Sequence, residues 1–176
     1  MRSFNWVGKA QQTAVPLDCR NLHDELVSVP KSMFQKGGLF GRGRTRKDLK
    51  TGIECIVLST LESKFKGAVK HFYSTKGDIQ HFVLKESGAQ VMMVHPARVA
   101  WHHSGRFGGK CVNQISIGVA LEGNHSDPPL ESQMKGLVTL LNGLKQQCPT
   151  IKFILGIQQL KSCKAPGRRV NWNLLR

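Results

Sequence analysis

The sequence predicts an α/β fold in which a mixed central β-sheet is flanked by helices. Three observations support this prediction: short apolar runs rich in β-branched residues recur along the chain, an amphipathic helical pattern lies between two of them, and no segment is repeated. Strands interleaved with helices are typical of layered α/β domains. A chain of 176 residues with 40% hydrophobic composition is long enough to bury one core of this kind.

Apolar segments in the second part of the chain are predicted to build the sheet. "IECIVLST", from Ile53, predicts a first buried strand, and "QISIGVALEG", residues 114–123, predicts a central one. "HFYSTKGDIQHFVL" is predicted to form two strands joined by a turn at residues 76–78, with "VMMV" extending the sheet. "IKFIL" predicts the last strand.

Helices are predicted at residues 61–70 and after "SDPP", with a short helix from about Asn171. In the clearest of them Asp127 is the expected N-cap and Pro128 lies in the first turn. One apolar stripe marks its buried side: Leu130, Met134, Leu137, Val138, Leu141 and Leu144.

The net charge of +15 is concentrated at the two ends of the chain. Residues 1–52 carry ten Lys/Arg against four Asp/Glu, and residues 152–176 carry six against none. We therefore expect a basic N-terminal extension or arm at 1–52 and a folded domain at 53–176. The arm ends in "KGGLFGRGRTRKDLK", and its interaction residues are predicted to be Arg42, Arg44, Arg46 and Lys47. The positive electrostatic field of such segments favours an anionic polymer or an acidic protein surface as partner.

Cysteine spacing and hydropathy exclude several classes of protein. The five cysteines are odd in number and form no CxxC pair, so neither a disulfide framework nor a zinc ribbon is predicted. No apolar run approaches the roughly 20 residues of a membrane span, and the first residues lack the apolar core of a signal peptide. We expect a soluble protein made in the cytosol, and the sequence sets no oligomeric state.

Five motifs in order resemble the zinc-dependent N-acetylmuramoyl-L-alanine amidase family, which includes amidase-type phage lysozymes and peptidoglycan recognition proteins. "KHFYSTKGDIQHFV" is similar to the family's Y-H-F-x-I-x-x-D-G segment, and "VAWHHSG" to A-W-H-A-G. "NQISIGVALEGN" is similar to N-x-x-S-I-G-I-x-L-x-G, "PLESQMKGLVTLL" to T-x-A-Q-x-x-A-L-x-x-L, and "APGRRVNWNLL" to C-P-G-R-x-x-x-x-x-L. The resemblance covers roughly residues 53–176 and implies an amidase-like α/β fold.

The resemblance implies a zinc ion held by three protein ligands, with a water in the fourth position that becomes the nucleophile. The first ligand, a histidine ending the first core strand, is Ser59 here. The second, a histidine after a glycine, is Ile157, and the third, ahead of the Pro-Gly pair, is Ala165. All three positions are degenerate, so we expect no zinc or other cofactor and no amidase chemistry of the family's type.

Two further positions of the implied site are also changed, since Lys70 replaces a tyrosine and Cys163 replaces a lysine or similar group. A relocated metal site is the alternative interpretation. It would draw on Cys55, Ser59, His71, His102, His103 and Cys163.

The remaining polar candidates are assigned binding or structural roles. The resemblance places "AWHHSG" beside the substrate groove, so Trp101 is expected to pack there and His102 to be a groove residue or a structural one. Glu122, at the end of a core strand, is expected to cap the following loop. Lys164, Arg168 and Arg169 are expected to extend the basic surface.

Three functional hypotheses follow. The first is a phage-encoded, catalytically inactive binding protein, acting in a virion tail or baseplate or as a regulatory or inhibitory partner in the cytoplasm of an infected bacterium. The second is a peptidoglycan-binding protein, or an amidase that remains active through a displaced metal site. The third is a nucleic-acid-binding module that uses the basic arm.

Overall fold

The computed structural model describes residues 52–74, 79–103 and 105–160, together with Val170 and Leu175. The strands and the two longer helices are, in chain order, β1 (Cys55–Thr60), α1 (Phe65–Ser74), β2 (Phe82–Leu84), β3 (Gln90–Met92), β4 (Arg106–Phe107), β5 (Lys110–Cys111), β6 (Ser116–Leu121), α3 (Glu131–Gln147) and β7 (Phe153–Gly156). A short helix α2 (Val112–Ile115) precedes β6, and a 3-10 turn (Ile157–Gln159) follows β7.

The main sheet has five strands in the order β3-β2-β6-β1-β7. Strand β1 pairs in parallel with β6 and β7, β2 pairs in parallel with β6, and only β3 runs antiparallel, against β2. The predicted mixed sheet is therefore confirmed, and β6 lies at its centre as its continuous apolar pattern predicts.

The face of the sheet that packs against α3, called here the first face, holds the larger core. Because side chains alternate along a strand, Ile56 and Leu58 of β1 point to this face together with Ile117 and Val119 of β6. The same cluster contains the buried stripe of α3, which consists of Met134, Leu137, Leu140, Leu141 and Leu144.

The opposite side, called here the second face, is covered by α1 over β2 and β3. Phe65, Ala68, Val69 and Phe72 of α1 pack in one buried cluster with Val83 of β2. Residues 71–74 were predicted as a strand but belong to this helix, because an apolar residue at every third or fourth position faces the sheet. The predicted turn at 76–78 lies outside the described residues, as does the helix predicted from Asn171.

The β4–β5 hairpin covers the second face over β1 and β7. Gly108 and Gly109 form its turn with φ of 56° and 80°, values that favour glycine in a two-residue hairpin. The Phe107 ring packs edge-on against Phe153 of β7, with ring centroids 5.4 Å apart. The hairpin therefore closes the part of the second face that α1 leaves uncovered.

Helix α3 begins later than predicted. Asp127 does not cap it, because its carboxylate accepts from Asn124 Nδ2 and its backbone N–H donates to Asn124 O, in a turn that precedes the helix. The N-cap is Leu130, which has extended backbone angles and makes no side-chain cap hydrogen bond. Among the described residues, no helix is long and apolar enough to cross a membrane.

Candidate functional site

The two described zinc-ligand positions lie side by side at the carboxyl ends of β1 and β7. Strands β1 and β7 pair in parallel with Leu58 opposite Gly156, so the next residues along the two strands are Ser59 and Ile157. Both are buried. The family resemblance selected these two positions from separate segments of the sequence, and in the structure they are neighbours.

Apolar side chains surround Ile157. It packs with Val57 of β1 and Val112 of α2, and the half-buried Phe107 and Leu160 close the cluster. Apolar contacts of this kind give a metal ion no donor atoms, and an ion placed there would lose its hydration without replacement.

These residues do not fit a zinc ion of the family's type. Ile157 has no metal-binding atom, and Ser59 offers one neutral hydroxyl, whereas a zinc site needs thiolate, imidazole or carboxylate donors. The Ser59 hydroxyl is buried and has no hydrogen-bond partner among the described residues. Two of the degenerate positions, Ala165 and Cys163, lie outside the described part of the chain.

Those candidates for a relocated metal site that the structure describes are not gathered into one cluster. Cys55 is buried and its Sγ contacts Ile115 O at 3.9 Å, whereas His71 lies on the exposed side of α1. Within the described ranges, no three His, Cys, Asp or Glu side chains are placed to hold a metal ion.

A buried polar cluster lies on the second face around Gly118 of β6. His81 is fully buried, its Nδ1 accepts from the Gly118 N–H at 3.0 Å, and its Nε2 lies 3.0 Å from Arg98 O. Since Nδ1 is the acceptor, Nε2 carries the proton and donates to that carbonyl, which makes the ring neutral. His81 was not predicted as a site residue. Two signals for it were present: the second His-Phe pair in "KHFYSTKGDIQHFV", and a glycine inside strand β6, which often marks a close approach.

Of the two groove candidates, only Trp101 differs in exposure from what was expected, because a buried His102 agrees with the structural alternative. His102 is buried, with Nε2 2.9 Å from Ser116 Oγ, and that hydroxyl donates to Val112 O at 2.6 Å. The Ser116 hydroxyl therefore accepts a hydrogen bond from His102 Nε2, and this bond holds the imidazole against the second face of the sheet. Trp101, expected to pack, is 53% exposed.

Helix α1 presents a basic exposed face. Lys66 and Lys70 are one turn apart and His71 is their neighbour, and all three are exposed. Lys70 thus lies on a helix and not in a hairpin. Trp101 follows Ala100 in the chain, and Ala100 is buried in the cluster that α1 forms with the sheet. The basic arm (Arg42, Arg44, Arg46, Lys47) and Lys164, Arg168 and Arg169 lie outside the described residues.

Glu122 has a structural role, but its carboxylate binds the start of α1 and the β2–β3 turn and not the loop after β6, which it was expected to cap. One carboxylate oxygen accepts from the Phe65 N–H at 2.7 Å, at the start of α1, and the other accepts from the Glu86 N–H at 3.0 Å. A carboxylate at a helix N-terminus is stabilising because free N–H groups and the helix dipole face it.

Comparison with solved structures gives the same fold. An AmpD derivative shares 20% identity, with 78% of this chain and 90% of that chain covered and a TM-score of 0.64. The Ph2119 endolysin from the Thermus scotoductus MAT2119 bacteriophage Ph2119 shares 17% identity, with 82% and 92% covered and a TM-score of 0.59. Peptidoglycan recognition protein LE in complex with tracheal cytotoxin, a monomeric diaminopimelic acid-type peptidoglycan, shares 17% identity, with 76% and 87% covered and a TM-score of 0.55.

Sequence comparison identifies the family. No curated protein matches the chain in sequence. The profile of the family described as N-acetylmuramoyl-L-alanine amidase matches residues 49–166, which is more than half of the chain. The chain therefore belongs to the N-acetylmuramoyl-L-alanine amidase family.

Proposed function

We propose that this protein binds peptidoglycan through its amidase fold without hydrolysing it. The observation that supports the proposal best is the pair Ser59 and Ile157, which replaces two zinc-ligand histidines with a hydroxyl and an apolar side chain at adjacent strand ends. Without a bound metal, no group at these two positions lowers the pKa of a water to the neutral range. The fold remains available for binding.

The exposed side of α1 and the exposed side chain of Trp101 offer groups suited to an anionic glycopeptide. Lys66, Lys70 and His71 line the exposed side of α1, where they favour the carboxylates of cell-wall peptides. The exposed indole of Trp101 gives a flat apolar surface on which the C–H face of a sugar ring can pack. Relatives of the same fold are solved with peptidoglycan fragments, which supports this choice of ligand.

Co-sedimentation with purified sacculi tests the proposal. We expect the full chain to pellet with sacculi at low salt and at high salt, because stacking on Trp101 is not screened by ions. Trp101→Ala should reduce the bound fraction in both conditions, whereas Lys66→Gln with Lys70→Gln should reduce it mainly at low salt. Lys152→Gln, on another exposed part of the chain, is the matched control.

Loss of all binding in high salt, with no effect of Trp101→Ala, would contradict a peptidoglycan groove.

The net charge of +15 supports a second candidate, a protein or nucleic-acid partner engaged by the basic arm. As part of the same proposal, the expected setting is a phage-encoded protein in a virion or in the cytoplasm of an infected bacterium, with a structural or regulatory role.

A further inference from the structure

A cleft of about 420 Å³ lies at the carboxyl ends of β1 and β6. These strands are parallel neighbours, yet the chain leaves β1 towards α1 on the second face and leaves β6 towards α3 on the first face. Connections that diverge in this way open a crevice between two strand ends, where α/β proteins commonly bind ligands. Thr60 and Leu121, the last residues of the two strands, line it.

The cleft combines an acidic side with an apolar side. Glu86, Glu122 and Asp127 line it against one cationic side chain, Lys64. Three carboxylates and one ammonium leave a charge of −2 at this place, although the whole chain carries +15. The apolar part of the lining includes Pro128, Pro129 and the half-exposed Leu130.

Lys64 shows how an ammonium group is held at the cleft. Its Nζ lies 2.5 and 2.6 Å from the two carboxylate oxygens of Glu86, and this hydrogen bonding raises the pKa of Lys64. The Lys64 side chain is largely exposed, so it can move aside for another ammonium at low cost.

An amide oxygen at the cleft has no donor among the described residues. Gln133 lines the cleft and is 1% exposed. Its Nε2 donates to Leu84 O and to Glu122 O, both at 3.0 Å, so the orientation of its amide is determined. Its Oε1 accepts no hydrogen bond from the described residues, which leaves an acceptor available to a ligand.

We propose that this cleft binds an aliphatic primary ammonium, with its nitrogen near Glu86, Asp127 and Gln133 Oε1 and its methylene chain along Pro128 and Leu130. An ammonium has three donors and no acceptor, which matches a set of carboxylate and amide oxygens. The site differs from the surface of α1 and Trp101 proposed for peptidoglycan, so either can fail without the other. The amine could belong to a cell-wall stem peptide or to a lysine of a protein partner.

Titration of the full chain with Nα-acetyl-lysine N-methylamide, followed by amide chemical shifts, tests the proposal. We expect saturable shifts at Gly123 and Asn124, which line the cleft, and none with the Nε-acetylated probe, which lacks the charge. Asp127→Asn and Glu86→Gln should each weaken binding about fivefold, the upper end for exposed ion pairs.

Glu131→Gln is the matched control, because Glu131 is exposed, pairs with Lys135 and does not line the cleft. Equal shifts with both probes, no saturable shifts, or an equal loss in Glu131→Gln would overturn the proposal. Two more probes then identify the natural molecule that carries the ammonium group. Shifts caused by a muropeptide only when its diamino acid is free indicate the cell wall, and shifts caused only by lysine peptides indicate a protein partner.

Discussion

At the scale of the residue, Ile157 should behave as a core residue. It is buried against Val57 and Val112, so Ile157→Ala should lower the free energy of unfolding by about 2–5 kcal/mol through lost apolar contact and a residual cavity. Urea unfolding of the full chain measures this change. Ile157→Val, the matched control, should cost about 0.5–1.5 kcal/mol. Equal stability of Ile157→Ala and the parent would show that Ile157 does not pack as described.

Gly118 should tolerate no side chain. A Cβ at this position would lie 2.5 Å from Gln80 Oε1 and from His102 Cγ, in the polar cluster of the second face. Gly118→Ala should therefore reduce the free energy of unfolding by about 1–3 kcal/mol, measured by urea unfolding.

Gly67→Ala serves as the matched control for that substitution. Gly67 lies in α1, where a Cβ would meet nothing closer than 3.8 Å, so alanine should raise stability by up to about 1 kcal/mol. If both glycine variants change stability in the same direction, crowding over Gly118 is refuted.

For single residues, the sequence predicts which chemical groups are present better than it predicts how exposed each side chain is to solvent. The missing donors at Ser59 and Ile157 follow from residue type at an aligned position, and the structure places the two together. The opposite exposures of Trp101 and His102 could not be predicted, because residue type favours a buried indole and an exposed imidazole. The hydroxyl of Ser116, which bonds His102, comes from a different strand and is invisible in the local pattern.

At the scale of the element, α3 begins with a suboptimal cap. Leu130 has backbone angles suited to an N-cap but no side-chain oxygen, and it is 53% exposed, so little apolar burial is lost on substitution. Leu130→Ser should raise the free energy of unfolding by about 1 kcal/mol by accepting a hydrogen bond from a first-turn N–H. Leu130→Ala is the control and should give no such gain. A serine variant no more stable than the alanine variant would contradict the capping account.

Glu62 joins the loop after β1 to the loop after β6 and should make stability depend on acid. Burial raises the pKa of Glu62, but hydrogen bonds from Thr60 and His125 outweigh it, so the net pKa is lowered from 4.5. A lowered pKa means that the folded state favours the carboxylate, so the stabilisation is present above pH 4.5 and is lost as pH falls through the folded value.

Urea unfolding of the parent and of Glu62→Gln from about pH 7 to about pH 3 measures this effect. We expect the parent to be more stable at neutral pH and the difference to shrink below pH 4.5. A difference that stays constant over the whole range would exclude the carboxylate as its source.

Helices and strands were predictable where the spacing of apolar residues and the length of the segment indicated the same kind of element. The strands β1, β6 and β7 and the helix α3 were predicted from continuous apolar runs and one helical stripe. The segment at residues 71–74 was misassigned because its aromatic residues favour strands, whereas tertiary packing of Phe65, Val69 and Phe72 selects the helix.

At the scale of the whole molecule, charge is unevenly distributed. The excess positive charge lies in the terminal segments and on α1, whereas the cleft between β1 and β6 is acidic. The sequence predicted the layered fold because alternating elements leave few arrangements. It could not predict the cleft, whose walls come from three separate connections and the first turn of α3, which meet only in the folded chain.

Incubation of the full chain with intact sacculi, with and without added zinc, tests the central claim most directly. Bound protein and newly released peptide amino termini are measured in the same samples. Binding without release in both conditions is the predicted result, since Ser59 and Ile157 supply no zinc ligands of the family's type. Release of peptides that depends on zinc and is stopped by a chelator would contradict it and establish a working amidase.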